Sequence, residues 1–329
     1  MSTKYNLKKI LIIRLSSIGD VILTSHLPRL LKNNKREGES IEIYLITSSH
    51  IAPLFKNNPN YKEILEYNGI NTEELRKVIK KMNFDVILDL QKNSISGKLV
   101  DEYDGDLRIV NKYRQQKLEM VYLKKFPKTV VHVGDRYLDT CRDLILEDGL
   151  GLDLYFDKRA DSEIKIIGVA PEAFHKTKRW PKERFLKLID LLINDGYEVR
   201  IFGKDESTLS EVNPKAINYC GKLTLIETAK YINECNLFIS NDTGLMHIAS
   251  ACQIPIVLIF GSSVIELGFT PYRSQYELIE YDIWCRPCSH IGRGFCPLGH
   301  FKCMSEITVD EVYNRFLNFS DELKKDRII

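Results

Sequence analysis

Short runs of Ile, Leu, Val and Phe recur along the chain, each closed by Gly, Ser, Asp or Asn and followed by apolar residues at helical spacing. Residues 8–15 read as a buried strand, the stretch Ser16-Ser17-Ile18-Gly19-Asp20 breaks it, and helical spacing resumes over 21–27. A strand at 41–46, a helix at 72–82 and a strand at 84–90 come next, with further elements at 102–110 and 128–133 and a helix at 136–146. The mixed, turn-rich stretch 149–162 reads as a linker. Alternation then resumes: strand 165–170, helix 182–194, strand 198–203, helix 224–234, an apolar run at 235–239, a short helix after Asp242, and a strand at 254–261. Strands and helices in strict alternation predict mostly parallel, doubly wound sheets, so the expected class is α/β.

A chain of 329 residues with 44% hydrophobic composition has core enough for two domains. Basic and acidic residues nearly balance, 47 against 45, so the whole chain presents no strong field toward nucleic acid or membrane. Residues 1–9 lead into a strand rather than a signal-peptide core, and no apolar run reaches the roughly 18–20 residues of a membrane span, so a cytoplasmic protein is expected.

The chemistry is concentrated where strands end. Ser240-Asn241-Asp242-Thr243-Gly244 lies between a strand and a short helix, where free amides and the helix dipole suit a phosphate and Gly244 permits close backbone approach. Asp242 and Thr243 add a carboxylate and a hydroxyl, and His247 follows one turn on, which suits a nucleotide; capping and turn chemistry explains the Asp-Thr-Gly equally well. Upstream, His175-Lys176-Thr177-Lys178-Arg179-Trp180-Pro181 is a dense basic loop suited to a diphosphate, although Trp180-Pro181 also fits a packed helix start. Asp20 sits at the first strand-to-helix turn, either as a helix-cap acid or as a general base at a cleft mouth.

Together these stretches resemble the bacterial lipopolysaccharide heptosyltransferase family of ADP-heptose-dependent glycosyltransferases. Arg14-Leu15-Ser16-Ser17-Ile18-Gly19-Asp20-Val21, Asp89-Leu90-Gln91, His132-Val133-Gly134-Asp135-Arg136-Tyr137-Leu138, Lys178-Arg179-Trp180-Pro181, Phe202-Gly203-Lys204-Asp205 and Asn241-Asp242-Thr243-Gly244-Leu245-Met246-His247 are similar to family motifs in order and spacing. The resemblance implies a GT-B fold, two doubly wound, Rossmann-like domains facing across a cleft. It places an acceptor domain at 1–160, a nucleotide-sugar domain at 161–308, and a helix at 309–329 packing back towards the first domain. It makes Asp20 the base and Lys178 the group that offsets leaving-group charge. Asp205 would contact the nucleoside, while Asp242, Thr243, Gly244 and His247 would hold the diphosphate and sugar. The implied reaction is inverting transfer of heptose from ADP-heptose to a sugar hydroxyl of the lipopolysaccharide inner core, with no metal needed for catalysis. Heptosyl or other glycosyl transfer to a protein Ser or Thr, the same chemistry with another nucleotide sugar, and a nucleotide-sugar-binding scaffold without turnover are the alternatives. A lipid-linked acceptor implies transient contact with the inner face of the inner membrane. Two departures stand out: Pro171-Glu172-Ala173 replaces the family's Pro-Gly-Ala, and Lys92-Asn93-Ser94 follows Asp-Leu-Gln where Arg-Ser is frequent.

Of eight cysteines, Cys141, Cys220, Cys235 and Cys252 fall in apolar segments and read as small buried hydrophobes. Cys285, Cys288, Cys296 and Cys303 cluster in a stretch, 284–304, that resembles a cysteine-bearing insert of some family members, certain of which bind iron. Four thiolates, or three with His290 or His300, would suit a structural iron or zinc; thiols packing a loop, or disulfides, fit the same spacing.

Overall fold

The computed structural model describes residues 6–34, 39–157, 163–205 and 211–326. The first strands and helices are β1 (Asn6–Ile13), α1 (Ile18–Ile22), α2 (Leu27–Asn33), β2 (Glu39–Ser48), β3 (Glu63–Tyr67), α3 (Thr72–Met82), β4 (Val86–Asp89), α4 (Ser94–Leu99) and β5 (Asp106–Ile109). Then come α5 (Arg114–Leu118), α6 (Val133–Leu138), β6 (Ile166–Ala170), α7 (Lys182–Asn194), β7 (Glu198–Ile201), β8 (Ile217–Asn218) and α8 (Leu225–Asn233). The chain closes with β9 (Leu237–Asn241), α9 (Gly244–Ala251), β10 (Ile256–Phe260), β11 (Tyr276–Glu280), α10 (Lys302–Ser305) and α11 (Val309–Asp326).

The chain divides into two compact units, 1–112 with 133–156 and 113–132 with 157–329. In the first, five parallel strands run in the order β3-β2-β1-β4-β5. The central strand β1 is buried on both faces from Ile10 to Ile13, which is why its sequence is a continuous apolar run. The order reverses between β1 and β4, whose ends are in register as Ile13 beside Asp89. The loops leaving β1 and β4 therefore meet, as open parallel sheets require of their ligand crevices.

The second unit repeats the plan with six parallel strands in the order β11-β10-β9-β6-β7-β8. Its reversal falls between β6 and β9, so the loops following Ala170 and Asn241 adjoin. The amphipathic helix α7 buries Phe185, Leu188, Ile189 and Leu192 in this unit's core. In α11, Val312, Phe316, Phe319 and Leu323 recur at helical spacing and enter that same core, with α7 and β11 as neighbours.

Several expectations need revision. The element expected at 128–133 is absent over 128–132, which form neither helix nor strand, and the helix expected over 136–146 is α6, which begins at Val133 and stops at Leu138. The Thr140 hydroxyl there bonds the Tyr137 carbonyl at 2.7 Å and a short 3-10 turn follows at Arg142–Leu144, so local side-chain bonding competes with the helix. The expected first domain ran unbroken to 160, whereas residues 113–132 belong to the second unit. Met120 packs there with Val264, Leu267 and Phe269, Lys124 donates to the carbonyls of Cys285 and Pro287, and His132 bonds Thr270. The end of the expected linker, 158–162, and the last three residues of the expected C-terminal helix lie outside the described residues.

Candidate functional site

In the first unit the site is assembled at the β1–β4 reversal. Asp20, in α1, accepts from the Ser17 hydroxyl at 2.8 Å and the Tyr137 hydroxyl at 3.1 Å, and its Oδ2 lies 2.9 Å from Arg14 Nη2. Arg14 is itself buried and donates to the Leu90 carbonyl, and its guanidinium lies over the Tyr137 ring. Although burial opposes its charge, Arg14 is held above its ordinary pKa by its neighbours Tyr137 and Asp20. Asp20 is the acid in the first turn of α1, and its carboxylate is held by Arg14 and Ser17 of the turn that follows β1 and by Tyr137 of α6.

The Asp-Leu-Gln stretch supplies the brace. The carboxylate of Asp89 accepts from the amides of Gln91 and Lys92 and from the Ser96 hydroxyl. Gln91 then offers its side-chain oxygen to the amides of Leu15 at 3.0 Å and Ser16 at 3.3 Å. The loop that carries Asp20 is thus held by a buried amide 71 positions downstream of it, a partner that local spacing gives no hint of. Two residues on, Asn93 forms a capping box with Ser96 at the start of α4.

In the second unit, an ion pair spans the β6–β9 reversal. Lys178 Nζ lies 2.6 Å from Asp242 Oδ2, and the Ser263 hydroxyl donates to that same oxygen. Burial pushes the Asp242 carboxyl up, but the Lys178 ammonium, the Ser263 hydroxyl and His247 outweigh it and leave the carboxyl below its ordinary value. His247 is buried one turn into α9, and its ring faces Phe269. Thr243 is the N-cap, its hydroxyl accepting from the amides of Leu245 and Met246, and Gly244 opens the helix. Asn241, missed as a functional position, accepts from Trp180 N–H and donates to the Pro171 carbonyl, fixing the two loops to each other.

The basic loop is less uniform than its sequence. Lys178 faces Asp242, Arg179 donates back to the Ala173 carbonyl, and Lys176 is exposed. Burial and the neighbouring Lys178 ammonium lower the pKa of His175. Trp180 is buried, donates from Nε1 to the Ile307 carbonyl, and stands edge-on to Phe185, so it serves packing. Near the end of β7, Glu172 accepts from the amides of Lys204 and Asp205 at 2.8 and 3.0 Å. A Cβ on Gly203 would come within 2.8 Å of that carboxylate, so Gly203 makes room for the Glu172 side chain. Asp205 is thereby held through its backbone at the carboxyl end of β7.

The cysteine stretch is tied directly to this site. Cys285, Cys288, Cys296 and Cys303 line one cavity of about 20 Å³ together with His300, Thr177 and Ser262. All four are free thiols, and burial raises Cys288 and pushes Cys303 up to about 11. The buried Thr177 hydroxyl accepts from the Arg293 amide and Ser262 and donates to the Arg293 carbonyl, while Arg286 donates to the Ser263 and Tyr281 carbonyls and pairs with Glu280. A Cβ on Gly292 would strike His175, so the stretch also presses on the basic loop. Among the described residues no group of three or more His, Cys, Asp or Glu is drawn into metal-ligating positions.

The model of glycosyltransferase family 9 (heptosyltransferase) matches residues 72–297, more than half of the chain. A lipooligosaccharide heptosyltransferase 2 from Campylobacter jejuni subsp. jejuni serotype O:6 is 33% identical over 168 residues, 47% of this chain and 52% of that protein. The chain spans about half the length of the curated relatives it matches. The structure of E. coli ADP-heptose lipopolysaccharide heptosyltransferase II is similar with a TM-score of 0.73 over 96% of this chain and 99% of that one, at 20% identity. TibC from enterotoxigenic E. coli, described as an iron-containing dodecameric glycosyltransferase, is similar with a TM-score of 0.61 over 97% and 78%, at 16% identity. These likenesses establish the α/β two-domain fold of the GT-B heptosyltransferases.

Proposed function

Because the chain belongs to glycosyltransferase family 9 (heptosyltransferase), we propose that it moves heptose from ADP-heptose to a sugar hydroxyl of the lipopolysaccharide inner core, with inversion. The observation that carries this reading is the pair of charged sites at the two sheet reversals: Asp20 in one unit, Lys178 with Asp242 in the other. One displacement at the anomeric carbon needs a base for the attacking hydroxyl and stabilisation for the departing diphosphate.

Asp20 is the base. It accepts the proton as the acceptor oxygen bonds to the anomeric carbon, while the bond from that carbon to the phosphate oxygen breaks and ADP leaves with the electron pair. Arg14 and Tyr137 fix the orientation of the carboxylate. Lys178 offsets charge on the diphosphate, its position set by Asp242 and Ser263. The amides at the start of α9, with Thr243, Gly244 and His247, hold phosphate and sugar, and Asp205 contacts the nucleoside. A cation already fixed beside the phosphates does the work a divalent ion does elsewhere, so turnover needs no added metal. A lipid-linked acceptor brings the protein to the inner face of the inner membrane.

Thermal stability with ADP, UDP, GDP and their sugars tests the donor, since a ligand preferring the folded state raises the melting temperature. The expected result is stabilisation by ADP and ADP-heptose alone; stabilisation by UDP or GDP overturns the donor assignment. Stabilisation without turnover on any acceptor would make the chain a nucleotide-sugar-binding scaffold.

The shared cavity supports a second reading, that Cys285, Cys288, Cys296 and Cys303 hold a structural iron or zinc, with His300 at hand. The soft donor set fits either ion, and the thiols would have to turn to it, since among the described residues no three such groups stand in metal-ligating positions. Such an ion would stiffen the stretch against Thr177. Protein purified anaerobically under reducing conditions carries stoichiometric iron or zinc if this is right, and carries neither if it is wrong.

A further inference from the structure

The near-neutral charge of the whole chain, +2, conceals a local concentration. Residues 112–128 carry six basic side chains and one acidic, a local net of +5. The same segment is fixed to the second unit on one side: Met120 is buried with Val264 and Leu267, and Lys124 donates to the Cys285 and Pro287 carbonyls at 3.0 and 2.8 Å. On its other side it exposes Tyr122 at 70%, Leu123 at 71% and, less fully, Leu118 and Phe126. Trp284, beside the carbonyl that receives Lys124, is 75% exposed. Arg114, Lys125 and Lys128 are exposed among these apolar groups.

Large exposed side chains on an anchored segment are a standing surface, since Met120 and Lys124 fix which side faces out. Two copies meeting through this patch would oppose like charges, and lysine is depleted at the centres of protein interfaces. Aromatic and leucine side chains that enter the headgroup region, interleaved with cations that meet anionic headgroups, match a bilayer surface. We propose that Leu118, Tyr122, Leu123, Phe126 and Trp284, with Arg114, Lys125 and Lys128, dock the second unit on an anionic lipid bilayer. The proposal gives a place to the membrane contact inferred above, and docking itself needs neither donor nor turnover.

The test is co-sedimentation of the full chain with vesicles of phosphatidylcholine alone or mixed with phosphatidylglycerol. Two variants accompany it, Tyr122→Ser with Leu123→Ser and Lys125→Glu with Lys128→Glu. The melting temperature and its ADP-dependent shift report separately on folding and on the donor reading. The expected result is binding to the anionic vesicles only, reversed by high salt, and weaker by roughly tenfold or more in each variant with melting unchanged. Failure to bind anionic vesicles, or undiminished binding in either variant, overturns the proposal. Dimerisation that both variants abolish also overturns it, by assigning the patch to a second copy.

Discussion

Replacing Lys178 with Met removes the cation from a carboxylate the fold has buried. The side chains of Lys178 and Asp242 are only 16% and 9% exposed, with 2.6 Å between the charged atoms. Removing one partner of such a pair leaves the other charge desolvated, at a cost of about 3–5 kcal/mol. In a unit of this size that lowers the melting temperature by roughly 6–20 °C. The pH dependence carries the signature. In the parent, the Asp242 pKa is depressed, so its contribution is present above the unfolded carboxylate pKa and is lost as pH falls through the folded value. In Lys178→Met the ammonium is gone and burial pushes the carboxyl up, so protonation relieves the variant as pH falls. The gap between parent and variant is therefore widest near neutrality, narrows as pH falls through the variant's raised carboxyl value, and closes once pH is below the parent's depressed one. Melting followed by circular dichroism from neutral to acidic pH measures it. A gap that stays constant with pH, or a variant within about 2 °C of the parent at neutral pH, would mean that the Asp242 carboxylate does not depend on Lys178. Asp242→Asn should cost less, because Lys178 is the more exposed partner and can recover hydration.

Three further outcomes follow from the packing. Gln91→Ala leaves the amides of Leu15 and Ser16 without their acceptor, which costs about 1–3 kcal/mol in urea unfolding and lowers kcat while leaving ADP affinity unchanged. Thr177→Val keeps the shape but removes the hydroxyl joining Arg293 and Ser262; it should weaken ADP binding, measured calorimetrically, more than it lowers kcat. Phe316→Ala opens a cavity where α11 meets the core and should cost about 3–5 kcal/mol, read from the urea midpoint.

The long amphipathic helices were legible because their pattern is unambiguous: α3 and α7 occupy the stretches their spacing predicts. The strands Glu63–Tyr67, Ile217–Asn218 and Tyr276–Glu280 escaped sequence analysis because they are short, lie at sheet edges, and mix polar or charged with apolar residues. Motif residues were visible for a similar reason. Asp20, Lys178 and Asp242 stand in the turns and loops that follow strands, where Ser16-Ser17, Pro171-Glu172 and Asn241-Asp242 interrupt apolar runs. Their partners were not. Tyr137 reaches Asp20 across 117 positions and Ser263 reaches Asp242 across 21, contacts set by the order of strands and by no local period. The acid at 172 shows the same limit, since its match to Gly203 becomes visible only when β6 and β7 are paired.

Asp20 is proposed as the base for transfer from ADP-heptose. The most direct measurement is the rate of ADP release from ADP-heptose with an inner-core acceptor, for the parent and for Asp20→Asn, alongside the ADP dissociation constant of each. Asp20→Asn should lose about 10²–10⁴-fold in rate with unchanged ADP affinity. A variant that transfers at the parent rate, or one whose loss is explained by weaker ADP binding, contradicts the proposal.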